Sequence, residues 1–237
     1  MVVVIPQTPF GRLGAVLSAL IVVCSLIGLT MHRDFYAGKP RRHFFSFYTN
    51  VSNLLVLLYF ALIAPRLYAS VRLRTLIPHI EFSVMMSIML TFLVFHLLLF
   101  PAIFRKMRRA PRNRAFFLLA VDNLFIHYLV PWLVFLYWLL CSPGKARLGL
   151  PDALLWTFIP LVYVAFVLLR APSWGIIEES GSAYPYPFLD VQAQGIRRVS
   201  SICALLYLLC AGAGLFTVSC VRLSFSLFGG GHALLLI

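Results

Sequence analysis

The chain has 237 residues, of which 62% are hydrophobic and only 11% charged, with a mean hydropathy of +0.94. Soluble domains carry about 25% charged residues, so this composition excludes an ordinary soluble fold. A net charge of +13 would suggest nucleic acid in a soluble protein, but here the basic residues sit between apolar stretches. There they set topology and meet anionic lipid headgroups, and no nucleic-acid partner is expected.

A membrane-spanning helix needs roughly 20 mostly apolar residues. Six stretches reach or approach that length: Pro9 to Met31, Phe44 to Ala64, Pro78 to Pro101, Phe116 to Leu140, Ala153 to Leu169 and Ser200 to Cys220. They leave no room for a soluble domain, so the expectation is an all-α polytopic membrane protein, one bundle of six transmembrane helices over residues 1–237. The first stretch is too long for a signal-peptide core and reads as a retained span.

In the second stretch, Ser46, Thr49, Asn50 and Asn53 recur at three- and four-residue spacing and share one helical face. Such a polar seam points into the bundle, where its ordinary use is interhelical hydrogen bonding. The third stretch places His79 and Glu81 near its start and His96 near its end, before Pro101. Glu81 follows Pro78 closely, so a helix N-terminus accounts for it as a structural residue. A dense basic connection follows, from Arg105 to Arg114.

The fourth stretch carries Asp122, Asn123 and His127. An ionisable side chain inside a span costs about 2.5–3.5 kcal/mol on insertion scales and marks a functional site by default. Asn123 and His127 share a face, and Pro131 removes the helical hydrogen bond to the His127 carbonyl, predicting a kink. The fifth connection contains Tyr184-Pro-Tyr186-Pro-Phe188-Leu-Asp190, a rigid aromatic turn that suits either an interfacial anchor or a cap over a cavity. The tail with Gly229 to Gly231 reads as a frayed extension of the last helix. Cys24, Cys141, Cys203, Cys210 and Cys220 form no CxxC pair and read as small apolar residues.

The odd-numbered connections hold thirteen basic residues: Arg33, Lys39, Arg41, Arg42, Arg105, Lys106, Arg108, Arg109, Arg112, Arg114, Arg170, Arg197 and Arg198. The opposite side holds seven: Arg12, Arg66, Arg72, Arg74, Lys145, Arg147 and Arg222. This bias puts the odd-numbered loops in the cytoplasm and both termini outside. At about 1.5 Å per residue, Thr49 lies roughly 8 Å from the cytoplasmic end of its helix, Asp122 and His96 roughly 9 Å, and His127 roughly 17 Å. The Tyr184 to Asp190 turn belongs to the same half.

A hydroxyl near an imidazole is the minimum for nucleophilic acyl transfer, with a carboxylate or amide to orient the ring and amide donors for an oxyanion. Thr49, Ser52, His127, His96, Asp122, Asn50, Asn53 and Asn123 supply those groups. No HExxH motif and no histidine pair at helical spacing is present, so neither a metal nor another cofactor is expected. A proton- or ion-coupled carrier using Asp122 and His127 is the rival from another class, and a non-catalytic structural protein is the third reading.

Phe44-Phe-Ser-Phe-Tyr-Thr-Asn-Val-Ser-Asn-Leu-Leu55, His96 before a proline, Asp122-Asn-Leu-Phe-Ile-His-Tyr-Leu-Val-Pro131 and Tyr184-Pro-Tyr-Pro-Phe-Leu-Asp-Val191 together resemble a largely uncharacterised family of bacterial six-span membrane proteins. More distantly, the layout is similar to the eukaryotic androgen-induced family, which hydrolyses fatty acid esters of hydroxy fatty acids with an intramembrane threonine and histidine. The resemblance implies Thr49 as nucleophile and His127 as base, with Ser52 a reserve nucleophile. Asp122 or Asn123 would orient the imidazole, and Asn50, Asn53 and His96 would support. Tyr184, Tyr186, Phe188 and Asp190 would cap a lipid-like ester substrate. A bacterial plasma membrane is the implied location.

Overall fold

The computed structural model describes residues 9–32, 43–101, 104–105, 121–178 and 180–232. Nine of the thirteen basic residues on the odd-numbered side, Glu179, and the first five residues of the fourth apolar stretch lie outside them. Six helical segments are long and apolar enough to cross a membrane: Gly11–Met31, Tyr48–Ala69, Leu73–Leu99, Val121–Cys141, Leu150–Arg170 and Ile196–Leu227. Among the described residues there is no strand, only an isolated bridge between Ile177 and Ser182. The all-α bundle follows from the bilayer's demand that every backbone group be paired within its own segment.

The second span begins later than its hydropathy suggests, because Phe44–Ser46 form a separate 3-10 turn before the helix opens at Tyr48. The fifth is broken at Trp156 and Thr157, between Leu150–Leu155 and Phe158–Arg170. Pro160 has no N–H to continue the ladder, and the Thr157 hydroxyl donates back to the Leu154 carbonyl at 2.6 Å. The last helix runs unbroken from Ile196 to His232, so Gly229 to Gly231 are helical and not frayed.

Three spans share one irregularity. Tyr59–Ile63, Phe95–Leu99 and Phe125–Leu129 are π-helical turns, each opening on an aromatic residue and each followed, two residues beyond its end, by a proline: Pro65, Pro101 and Pro131. In the fourth span the Val130 N–H bonds to Phe125 and skips Ile126. Pro131 then has nothing to donate, so the Ile126 carbonyl is released along with that of His127. The disruption expected at the His127 carbonyl thus begins one residue earlier.

The larger core packs the first four spans, the start of the fifth and part of the sixth around Ile21, Tyr59, Phe82, Val134 and Trp156. A smaller aromatic core joins Tyr48 and Tyr163 to Tyr184, Tyr186 and Leu189 of the fifth connection. Two glycines set the closest helix approaches. A Cβ on Gly28 would stand 2.6 Å from Ile126 Cγ2, and one on Gly214 would stand 2.2 Å from the Ala153 carbonyl oxygen. The first span therefore lies against the π turn of the fourth, and the sixth against the fifth.

Candidate functional site

The fifth connection is fastened to the bundle before it covers anything. Arg170, buried at the end of the fifth span, donates from Nη1 to the Ala183 carbonyl at 2.6 Å and from Nη2 to His43 Nδ1 at 2.8 Å. Asp190 accepts from the Ser182 hydroxyl at 2.6 Å and from the Ala193 N–H at 2.9 Å, which caps the short helix Val191–Gln194. The Ser182 bond is the main reason its carboxyl is held below the usual carboxylate range. Asp190 thus ties the connection to itself and does not line the cavity beneath.

Between those anchors the Tyr-Pro-Tyr-Pro-Phe turn drops Tyr186 into the bundle. Its phenol oxygen accepts the Tyr48 N–H at 3.1 Å, at the first turn of the second span. Its ring stacks on Phe188 with centroids 5.2 Å apart and meets Phe47 edge-on at 6.0 Å. Burial pushes the Tyr186 phenol above its ordinary value, opposed by the Thr49 side chain and by the Tyr48 and Thr49 backbone. Tyr163 closes the same corner by donating to the Ser46 carbonyl at 2.7 Å.

Beneath this turn lies a cavity of about 100 Å³, walled by the second, third, fifth and sixth spans. Leu90, Val94, Phe95, Phe188 and Leu206 give it an apolar surface, on which Thr49, Thr91 and Thr157 are the hydroxyl-bearing aliphatic positions. Cys203 and Cys210 reach it from the sixth span; all five cysteines are free thiols, and Cys220 is exposed instead of in the core. Thr49 is therefore the one residue of the second-span seam, apart from its neighbour Tyr48, that reaches the cavity wall.

The reserve nucleophile Ser52 and the seam residues Asn50 and Asn53 are occupied by structure. Ser52, fully buried, donates to the Thr49 carbonyl at 3.0 Å and lies 2.6 Å from Thr91 Oγ1. With its one proton on the carbonyl, Ser52 accepts from Thr91 and is occupied as a link between spans. Asn50 donates to the Phe44 carbonyl at 2.6 Å, pinning the preceding 3-10 turn. Asn53 donates to the Thr49 carbonyl at 2.8 Å and to the Ile126 carbonyl at 3.1 Å. The second of these is the acceptor that the π turn and Pro131 released.

His127 is buried at 4% exposure and stacks face to face on Phe95, with centroids 3.6 Å apart and planes 12° from parallel. Phe95 lines the cavity and His127 does not. Asp122 is also buried, one turn before Ile126, and Asn123 is half-buried beside it. His96 departs from expectation most. It faces outward, bonds through Nδ1 to the Tyr128 hydroxyl at 3.1 Å and stacks between Phe92 and Phe100. It directly follows Phe95, and about 100° of helix rotation carries its ring away from the cavity.

Thr91, Phe95 and Tyr163 belong to this site, and sequence reasoning passed over them. Thr91 lies in an unbroken apolar run where a threonine ordinarily bonds its own helix, and nothing in the sequence distinguishes it. Phe95 carries a signal in retrospect: an aromatic residue six positions before a proline opens all three π turns.

The fold and its buried polar face define an integral membrane protein, a six-helix bundle with a mostly apolar cavity under an aromatic turn. Comparison with protein-family profiles, curated proteins and solved structures gives no match.

Proposed function

We propose that the chain is an integral membrane hydrolase of lipid-like, fatty acyl esters, with Thr49 as nucleophile and His127 as general base. The observation that carries this reading is the position of Thr49: a threonine on the wall of a mostly apolar cavity, beneath the Tyr186 to Phe188 turn. Such a pocket suits an acyl chain whose ester carbonyl is brought to one of its few polar positions. The likeness to bacterial six-span proteins and to the androgen-induced family supports the same assignment.

In the proposed reaction the Thr49 oxygen attacks the ester carbonyl while His127 takes the hydroxyl proton. The imidazolium then returns that proton to the departing alkoxide, leaving an acyl-threonine that water hydrolyses with His127 again as base. Asp122 or Asn123 orients the ring. Tyr186, whose oxygen accepts from Tyr48, keeps its own O–H for Thr49 or for the carbonyl oxygen. Phe95 holds the imidazole by stacking and must turn aside for His127 to reach the cavity. Substrate enters sideways from a bacterial plasma membrane in the half taken as cytoplasmic, with basic connections resting on anionic headgroups.

Thr49→Ala and His127→Ala should each reduce hydrolysis of a long-chain acyl ester by at least about 10³-fold in detergent or nanodiscs. Both should also abolish labelling by a fluorophosphonate probe. Full activity in either variant refutes the assignment. Proton- or ion-dependent flux in liposomes that survives Thr49→Ala but fails in Asp122→Asn would replace it with the carrier reading.

A further inference from the structure

At the other end of the third span, well away from the cavity, Glu81 is enclosed at 3% exposure. It is ten residues before Thr91, about 15 Å along the helix axis. The first turn of that helix contains no acidic residue, so Glu81 lies too deep for the helix terminus to account for it. Three phenols surround it instead. Tyr59, Tyr68 and Tyr137 place their oxygens 2.8, 3.2 and 3.2 Å from Glu81 Oε1, and the Tyr68 and Tyr137 oxygens are 3.0 Å apart.

The second span supplies two of these phenols only because of its π turn. Nine residues apart on a regular α-helix, Tyr59 and Tyr68 would face about 180° apart, whereas the extra residue of a π turn reduces this to about 80°. Tyr59 opens that turn. Both hydroxyls then converge on one oxygen of the carboxyl.

The proton inventory of the cluster is uneven. Four oxygen–oxygen contacts fall within hydrogen-bonding distance, but three phenols bring three protons. A carboxylate leaves one contact without a proton; a carboxylic acid fills all four. Glu81 Oε2 is buried with no hydrogen bond of normal geometry, and the Ser142 hydroxyl is the polar group beside the same carboxyl. We infer that Glu81 with Tyr59, Tyr68 and Tyr137 forms a proton-binding site within the membrane, distinct from the Thr49 cavity and served from the aqueous face where Lys145 lies.

Loading takes one proton from water at that face and converts the carboxylate to the acid; release returns it, and no other bond changes. The ionisable neighbours fit this exchange. Tyr59 and Tyr68 face Glu81 from the second span, Tyr137 and Cys141 from the fourth, and Lys145 from the connection beyond it. Lys145 is 5% exposed and donates from Nζ to the carbonyls of Trp138 and Leu139 at 3.0 and 2.8 Å. Burial lowers its ammonium to about 8, with the Glu81 charge opposing that fall. On Glu81's own helix, His79 is engaged with Asp152 at 2.5 Å.

The chain has three glutamates, and the other two lie in the fifth connection at 178 and 179, so selective labelling isolates this one. Full-length protein with ¹³C-labelled glutamate carboxyls is titrated in nanodiscs and followed by NMR. One resonance should titrate reversibly within about pH 4 to 10, apart from the ordinary glutamate value of about 4.3. It should disappear in Glu81→Gln and move in Tyr137→Phe, which removes one donor and keeps the packing. Should Glu81→Gln fail to fold, Tyr59→Phe assigns the same resonance in a protein that retains the carboxyl. A Glu81 resonance that stays constant over that whole range overturns the inference, because the group would then be fixed in one state.

Discussion

Replacing Gly214 with alanine tests the packing of the fifth and sixth spans through a single methyl group. The new Cβ would lie 2.2 Å from the Ala153 carbonyl oxygen and 2.6 Å from Trp156 Nε1. The first is main chain and cannot move aside, so the helices must part. Overpacking of this kind costs about 1–3 kcal/mol, against roughly 1 kcal/mol gained from alanine's better helix propensity. Gly212, one turn-half away on the same helix, has nothing within 4 Å of its virtual Cβ. There the propensity gain stands alone, at about 0.5–1 kcal/mol. The two variants should therefore differ by about 1–3 kcal/mol, which for a chain of this size separates their melting temperatures by roughly 2–12 °C. Gly28→Ala falls between them, because its obstacle at 2.6 Å is the Ile126 Cγ2 methyl, a side chain with some room to shift. Thermal unfolding in one detergent, followed by tryptophan fluorescence, ranks the three. If Gly214→Ala melts with or above Gly212→Ala, the close approach of these two spans is wrong.

Asn53→Leu strips the Ile126 carbonyl of its donor and should cost about 1–3 kcal/mol in the same assay. In a Pro131→Ala background the helix regains an N–H at position 131, so the added cost of Asn53→Leu should shrink; equal costs in both backgrounds would refute the link. Lys145 has a folded value of about 8, below the ordinary lysine value of about 10.4. Between those two values the unfolded chain binds more protons, so this residue makes stability rise with pH across that window and adds no slope below it. The difference in stability between wild type and Lys145→Met should change over that window alone. Asp190→Ala removes the cap on Val191–Gln194 and should cost about 1 kcal/mol. Since the Asp190 carboxyl is held below its usual range, that contribution is full above about pH 4 and fades as pH falls through the depressed folded value. A wild-type-minus-variant stability curve that is flat through acid pH would contradict the hydrogen bonding assigned to it.

Six spans were legible in the sequence because spanning a bilayer is a one-dimensional requirement, about 20 apolar residues in a row, and hydropathy measures just that. The inward seam at Ser46, Thr49, Asn50 and Asn53 was legible for a similar reason, since all four are at most 7% exposed. Depth along the helix axis was a weaker guide. It grouped His96 with Thr49, but the two differ in azimuth: Phe95 turns to the cavity and His96 to Tyr128. Azimuth was lost because three π turns each add a residue and shift every later side chain by about 100° relative to a regular helix. Glu81 was misread on the same ground, because its partners come from positions 59, 68 and 137 and two of them converge only across a π turn.

The repeated aromatic-to-proline spacing gives those irregularities a common cause. A proline six residues after Tyr59, Phe95 or Phe125 withholds the N–H that an α-helix would use there, and the preceding turn widens so that the next available N–H reaches back five residues. Each widened turn releases backbone carbonyls, which in a membrane must find another donor. In the fourth span that donor is Asn53, so the polar seam of the second span and the proline of the fourth form one interaction. The same irregularity that places His127 against Phe95 therefore also fixes the second span beside it. Its counterpart in the second span directs Tyr59 and Tyr68 at Glu81. Two separate polar sites, near opposite ends of one bundle, are built with a single backbone device.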